Sequence, residues 1–421
     1  MTSGLAPGAA SATKMEKLAG QEWMRAPATQ RVIAALTAEG AEVRFVGGCV
    51  RDALVGRPVS DVDLATHLPP EEVTRLLEAA GLKAVPTGLG HGTVTAIADH
   101  TPFEITTLRV DVETFGRHAK VAFTDDWTAD AARRDFTFNA LSCAPDGTLH
   151  DPFGGVADLR AGRVRFVGGA RARIEEDYLR LLRYFRFLAY FGKEPPEPAV
   201  LAIARELAPE LGGLSAERIQ AELFKLLRAP NPADTLDLMI AHEVLPHVVP
   251  AAAGTDVLRA LMPIEPAAPD AVLRLAALIA PGAGPETATR LRLSNRDRFA
   301  LVNLTDPALA DAARELHTRW RAVRRLGAAL YGNRLRLDWA RRAAAGNQPD
   351  EAALRRALAR ADDLAKRTFP LRGRDVLALG VPSGPELGRL LDRAEDWWIE
   401  QGLKPTRGAC LDYVRGLIST G

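Results

Sequence analysis

The sequence predicts an α+β protein, with a small mixed β-sheet and helices in residues 28–168 and an all-α remainder. Three observations predict it. Short β-prone runs, Arg44–Val46, Leu82–Pro86, Thr93–Ile97 and Phe103–Leu108, cluster in the first segment. Beyond Pro195 the apolar residues recur at helical spacing, broken by Pro and Gly. At 421 residues the chain is also too long for one ordinary domain. The expected division is a disordered tail at 1–27, a head at 28–168, a helical neck at 169–250 and a helical body and tail at 251–421.

Composition narrows the function classes. Apolar content of 47% and charged content of 25% are those of a soluble globular protein. A net charge of +1 excludes a global polybasic surface, so any nucleic-acid contact must be a local patch. Cys49, Cys143 and Cys410 are far apart and form no CxxC pair, which speaks against a disulfide framework or zinc site and suits a reducing cytoplasm. No apolar run reaches membrane-spanning length. The first twenty residues lack the apolar core of a signal peptide.

Taken in order, Ala28–Ala38 reads as an amphipathic helix leading into the first strand, Arg44–Val46. Gly47-Gly48 breaks that strand and Cys49–Leu54 starts a helix. Ser60–Ala65 then alternates Asp61 and Asp63 with Val62 and Leu64, so a strand there sends both carboxylates to one face. Two carboxylates at that spacing can hold Mg²⁺ through oxygen ligands. The paired glycines let backbone N–H groups approach a phosphate, and the helix start favours negative charge. Together these are the equipment of phosphoryl or nucleotidyl transfer.

Pro69-Pro70-Glu71 opens a further helix that Gly81 stops. Glu104 lies on the Phe103–Leu108 strand, and Arg109 ends it. Asp111–Trp127, with Gly116, Arg117, His118 and Lys120, reads as a long loop. Ala129–Leu141 contains Arg134, Asp135 and Asn139. On a helix 134 and 139 would lie within about 140° of each other, and Arg suits phosphate while Asp or Asn suits a ribose hydroxyl. His150-Asp151 lacks the further helical ligands an HD-type phosphohydrolase needs.

Glu175–Phe191 has helical period, with Asp177 and Arg180 on one face and Arg183 and Arg186 continuing its basic character. An Asp accepts from an exocyclic amine and an Arg donates to a ring nitrogen. Cytosine and adenine present that edge, whereas uracil and guanine reverse it, a discrimination of about 1–3 kcal/mol. Ser215 reads as the N-cap of a following helix. Ala251–Pro285 reads as a loose connection. Arg319–Arg374 carries 14 Arg and Lys366 against five acids, a local +10 that suits an RNA backbone. Gly373–Leu391 reads as helix, Gly-Pro turn and helix, and Trp397 and Trp398 as core and rim residues of a terminal helix.

GGxVRD, followed nine residues after Asp52 by DxDLAT, resembles the nucleotidyltransferase motif of the DNA polymerase beta superfamily. The chain looks most like the class II branch, the CCA-adding tRNA nucleotidyltransferases and bacterial poly(A) polymerases. RRDFTFNA at 133–140 and Glu176, Asp177 and Arg180 of an EDxxR motif follow in family order.

The resemblance implies templateless addition of CMP and AMP, from CTP and ATP, to the 3′ end of tRNA. It implies two Mg²⁺ held by Asp61 and Asp63, with Glu104 as a third catalytic carboxylate. Gly47, Gly48 and Arg51 are then expected at the triphosphate, Arg134, Asp135 and Asn139 at the ribose, and Asp177 and Arg180 at the base. The helical body is expected on the tRNA acceptor arm. Poly(A) addition, or addition of CC or A alone, shares these motifs. A non-catalytic RNA-binding protein is the rival of another class, and intact carboxylates speak against it.

Overall fold

The computed structural model describes residues 18, 20–88, 92–115, 118–309 and 316–419, although the side chains of 111–115, 118–120, 309, 316 and 317 are outside the description. The chain forms two compact units, Met1–Leu211 and Gly212–Gly421. That division falls inside the expected neck.

Among the described residues the first unit has nine strands: β1 Val43–Val46, β2 Asp63–Thr66, β3 Lys83–Gly88, β4 Thr93–Ala98, β5 Thr101–Thr107, β6 Arg109–Phe115, β7 His118–Phe123, β8 Ser142–Cys143 and β9 Leu149–His150. Seven make one mixed sheet in the order β3-β4-β5-β2-β1-β8-β9, and β6-β7 is a separate hairpin. β2 and β5 run parallel, which sets Asp63 opposite Glu104. Phe45, Leu64, Val94, Phe103 and Ile105 are fully or almost fully buried. Helices Pro27–Thr37 and Pro70–Ala79 pack on this sheet. The second of these starts on Pro70 with Glu71 and Glu72 in its first turn, a favourable helix start.

An aromatic core joins the end of the sheet region to the Leu179–Phe191 helix. Phe136 packs 4.7 Å from Phe166 and 5.2 Å from Phe187, and Phe138 lies 5.3 Å from Phe187 and 5.7 Å from Phe191. This packing draws the residues after 168 into the first unit.

Several expected elements are corrected. The tail expected to residue 27 is shortened, because Glu22–Arg25 is helical and buries Met24. The Asp-bearing strand is Asp63–Thr66 rather than Ser60–Ala65, so Asp61 precedes it. The long loop expected over Asp111–Trp127 is largely the β6-β7 hairpin followed by a helix that starts at Trp127. Its Gly116 and Arg117 lie outside the described residues.

Ala129–Leu141 is not one helix. It ends at Ala132 and resumes as a 3₁₀ turn at Thr137–Asn139, where Phe136 is extended and pairs with Phe166. Glu175–Phe191 also breaks: Asp177 is extended (φ −155°, ψ 105°) between helices Ala170–Glu176 and Leu179–Phe191. Helix Ala271–Leu278, inside the supposedly loose 251–285 connection, is buried on every side, as its nearly uninterrupted apolar run requires.

The second unit is helical. Its Leu316–Ala344 helix kinks at Gly327 (φ 77°) and packs on Glu351–Lys366. Trp398 meets Trp320 edge-on at 5.1 Å in the core, and Trp397 stacks on Tyr413 at 4.6 Å. Much of the basic run here is structural. Arg334 is 2% exposed and donates to Asp338 and to the carbonyls of Asn303, Leu304 and Asp306. Arg336 donates to the Ile264 carbonyl, and Arg321 pairs with Asp396. The local +10 therefore overstates the charge offered to a polyanion.

Phe136→Ala removes the centre of the aromatic core. It is expected to cost about 3–5 kcal/mol, read by urea unfolding followed through a first-unit probe.

Candidate active site

The chemistry-bearing residues of the first unit converge on one cavity of about 380 Å³. Gly47, Gly48, Arg51, Asp63, Glu104, Arg134, Asp135 and Asn139 all line it. Asp61, Asp177 and Arg180, expected there too, are not among its lining residues.

The carboxylate edge comes from the parallel pairing of β2 with β5. Asp63, the first residue of β2, stands beside Glu104 in the middle of β5. Burial and the neighbouring Glu104 charge push the Asp63 carboxyl up to about 6, with Asp61 adding and Arg134 opposing. Two crowded carboxylates of this kind call for a cation. Asp61 is exposed just before the strand and accepts from the Ser60 hydroxyl at 3.0 Å. Among the described residues no three His, Cys, Asp or Glu side chains already form a closed cation cage. An open pair suits Mg²⁺, which keeps water and phosphate oxygens in its shell.

The Gly-Gly turn is shaped by close approach. Gly47 has φ 70°, and a Cβ on it would lie 3.0 Å from Arg134 Nη1. Its N–H already donates to the Leu141 carbonyl at 3.2 Å. The donors left at this turn are the first N–H groups of the Gly48–Leu54 helix, which precede its hydrogen-bond ladder. Arg51 is held in place. Its guanidinium pairs with Asp52 at 2.8 Å, donates to Asn139 Oδ1 at 2.7 Å and lies over the rings of Phe187 and Phe191.

Two buried carboxylates fix the opposite, cationic wall. Asp130, 5% exposed, accepts from Arg134 at 3.3 Å and from the Arg109 backbone N–H at 3.2 Å. Asp135, 7% exposed, accepts from the Phe136 N–H and Asn139 Nδ2, each at 2.9 Å, and from Arg183 Nε at 2.6 Å. Burial alone would raise its pKa, but the Arg183 charge and these donors outweigh it and hold the carboxyl low. Both Asp135 oxygens are thus engaged. The residue orients Asn139 and Arg183.

The expected base-selecting pair sits at the helix break. The Asp177 carboxylate accepts from the Leu179 N–H at 3.2 Å. Arg180 donates to Glu176 at 2.5 Å and to the carbonyls of Arg173 at 3.0 Å and Arg133 at 3.4 Å. Arg183, Arg186 and Phe187 of the following helix line the cavity instead. Sequence reading noted these arginines without a role, and it passed over Asp130. The signal for Asp130 was its helical spacing, three and four residues before Arg133 and Arg134.

Residues 43–165 match the family model described as "Poly A polymerase head domain". Residues 195–254 match one described as "Probable RNA and SrmB- binding site of polymerase A". The mitochondrial CCA tRNA nucleotidyltransferase 1 of Mus musculus is 34% identical over 387 residues, covering 90% of this chain and 87% of that protein. Its Danio rerio counterpart is 49% identical over 201 residues, 47% of either chain, so that match spans about half of each protein. The crystal structure of the Bacillus stearothermophilus CCA-adding enzyme in complex with CTP superposes with a TM-score of 0.70 at 26% identity, covering 94% of this chain and 98% of that one.

Fold and cavity define a nucleotidyltransferase with a head of the poly(A) polymerase type. The agreement with the mouse protein extends over both units, and the chain belongs to the CCA tRNA nucleotidyltransferase family.

Two outcomes follow from the electrostatics. A raised carboxyl folds best protonated, so Asp63 contributes no penalty below its ordinary 3.8 and a full penalty above about 6. Asp63→Asn is expected to stabilise the metal-free protein above pH 6, by on the order of 1–2 kcal/mol. The gain should vanish near pH 3.5, as read by melting temperature across pH. Asp130→Asn should weaken nucleotide binding about 10-fold or more through a loosened Arg134, measured as the Kd for CTP.

Proposed function

We propose that this protein adds CMP and AMP, from CTP and ATP, to the 3′ end of tRNA and releases pyrophosphate. The observation that carries the reading is the register pair Asp63–Glu104, which faces an arginine wall pinned by buried carboxylates. One edge suits a cation and the other a polyphosphate, as transfer to a nucleotide α-phosphate requires. The substrates follow from the relatives: the mouse protein is a CCA tRNA nucleotidyltransferase by name, and the Bacillus structure holds CTP.

Asp63 and Glu104, with Asp61 beside them, hold Mg²⁺, which when bound lowers the pKa of the attacking 3′-hydroxyl and steadies the leaving pyrophosphate. The chain's own residues do the rest. Gly47, the Gly48 end of the helix and Arg51 take the triphosphate, and Arg134 stands at the ribose. Asn139, oriented by Asp135, donates or accepts at the ribose. Asp177 and Arg180 read the base, and for this Arg180 must exchange Glu176 for the base edge. The helical second unit takes the acceptor arm by shape and backbone charge.

The expected cytoplasmic location is part of this proposal. The three cysteines are buried and free, which suits a reducing compartment. The mouse and zebrafish relatives are mitochondrial by name. No helix among the described residues is long and apolar enough to cross a membrane.

The test is extension of a tRNA lacking its 3′ CCA, with Mg²⁺ and each nucleotide alone or combined. The expected product is three nucleotides longer, formed with CTP and ATP and not with UTP or GTP. Asp61→Ala/Asp63→Ala should lower the rate at least about 100-fold. Long ladders with ATP alone would move the activity to poly(A) addition, whose head domain gives the matching family model its description. No incorporation would overturn the enzyme reading.

A further inference from the structure

A buried charge lies just behind the active-site cavity, in a stretch to which nucleotide transfer gives no role. Asp158 sits on the short helix Gly155–Ala161 and is 1% exposed. Its carboxylate accepts from the Thr137 hydroxyl at 2.6 Å, from Arg165 Nε at 2.9 Å and from Arg163 Nη1 at 3.2 Å. Two guanidiniums already neutralise it, so the hydroxyl is not needed for charge balance. A hydroxyl bond to an ionised acceptor is short and strong, and it fixes whatever carries the hydroxyl. Thr137 opens the 3₁₀ turn Thr137–Asn139, which delivers Asn139 to the cavity. Neither Thr137 nor Asp158 is among the lining residues.

A second observation is steric. A Cβ on Gly155 would lie 2.2 Å from the Thr137 carbonyl oxygen and 2.8 Å from Phe138 Cα, so the helix is seated directly on the backbone of the turn. The Thr137 N–H donates to the Arg165 carbonyl at 3.0 Å. Asp151 fixes the start of the helix, accepting from the Gly155 N–H at 2.7 Å and the Val156 N–H at 3.0 Å. The turn is thus gripped by side chain, by backbone and by close approach. Asn139 has little slack of its own. Its Oδ1 accepts from Arg51 at 2.7 Å and its Nδ2 donates to Asp135 at 2.9 Å, which leaves one amide hydrogen and one lone pair for a ligand. A small shift of the turn misaims both.

We infer that Thr137 and Asp158 are positioning residues for ribose recognition. Their hydrogen bond sets where the Asn139 amide meets the sugar, and so sets the preference for a nucleotide with a 2′-hydroxyl over its deoxy counterpart. This role rests on the proposed placement of Asn139 at the ribose. Both residues act through Asn139 and touch no nucleotide themselves.

The test compares the Kd for CTP with the Kd for dCTP, by equilibrium dialysis of full-length wild type, Thr137→Val, Thr137→Ser, Asp158→Asn and Val32→Ala. Wild type is expected to prefer CTP. Thr137→Val keeps the shape and removes the hydroxyl, and should reduce that preference about 3- to 10-fold, chiefly by weakening CTP. Asp158→Asn should reduce it too. Thr137→Ser keeps the hydroxyl and should retain the wild-type ratio. Val32→Ala, a buried change in the Pro27–Thr37 helix, lowers stability and should leave the ratio unchanged, so lost stability alone does not mimic the effect. A wild-type ratio in Thr137→Val, or a ratio in Thr137→Ser as low as that in Thr137→Val, overturns the positioning role and leaves nucleotide addition standing. Equal binding of CTP and dCTP by wild type overturns the ribose reading and the positioning role with it. If Asp158→Asn fails to fold, the two Thr137 variants decide.

Discussion

The Asp135–Arg183 ion pair is the interaction on which the first unit's chemistry depends. It ties the segment just before β8 to the Leu179–Phe191 helix, beside a buried aromatic core. Inside such surroundings an unpaired carboxylate is costly, and removing one partner of a buried pair commonly costs about 3–5 kcal/mol. The pair therefore holds only when the helix is docked. Docking in turn brings Arg183, Arg186 and Phe187 to the cavity, and Phe187 and Phe191 under Arg51. The aromatic core and the arginine wall are two consequences of one packing event.

The same logic explains why the cavity contains four acids among six arginines. Asp130 and Asp135 are bound up with donors and act as fixed anchors. Asp63 and Glu104 are crowded against each other, and burial makes the Asp63 charge harder to keep. One pair of carboxylates is satisfied within the protein, and the other is the pair to which the proposed function gives a cation. That contrast separates structural from chemical acids in a way residue type does not.

In the second unit the arginines divide similarly. Arg334 and Arg336 close off carbonyls at helix ends and loops, work a lysine's single ammonium point does less well. Arg356 and Arg360 stand on an exposed helix face, where their charge reaches solvent. Counting charge along the chain merges these groups.

Local pattern was enough for a good deal. The strand, Gly-Gly turn and helix around Val46–Leu54, the Pro-started helix at residue 70 and the all-helical second half follow from spacing and punctuation, which act over a few residues. The motif order from Gly47 to Arg180 placed the chain in its family, and eight of the eleven named site residues line one cavity. The helix breaks at Asp177 and after Ala132 were not legible, because long-range packing overrides helical period there: Phe136 is drawn into a bridge with Phe166, and Arg173 and Arg180 bond the carbonyls of Arg133 and Arg134. The parallel β2-β5 register, the engaged Gly47 N–H and the anchoring role of Asp130 also belong to the tertiary structure. Each depends on partners far apart in sequence or on which neighbours remain dry, and burial is a property of the folded chain that residue order does not display.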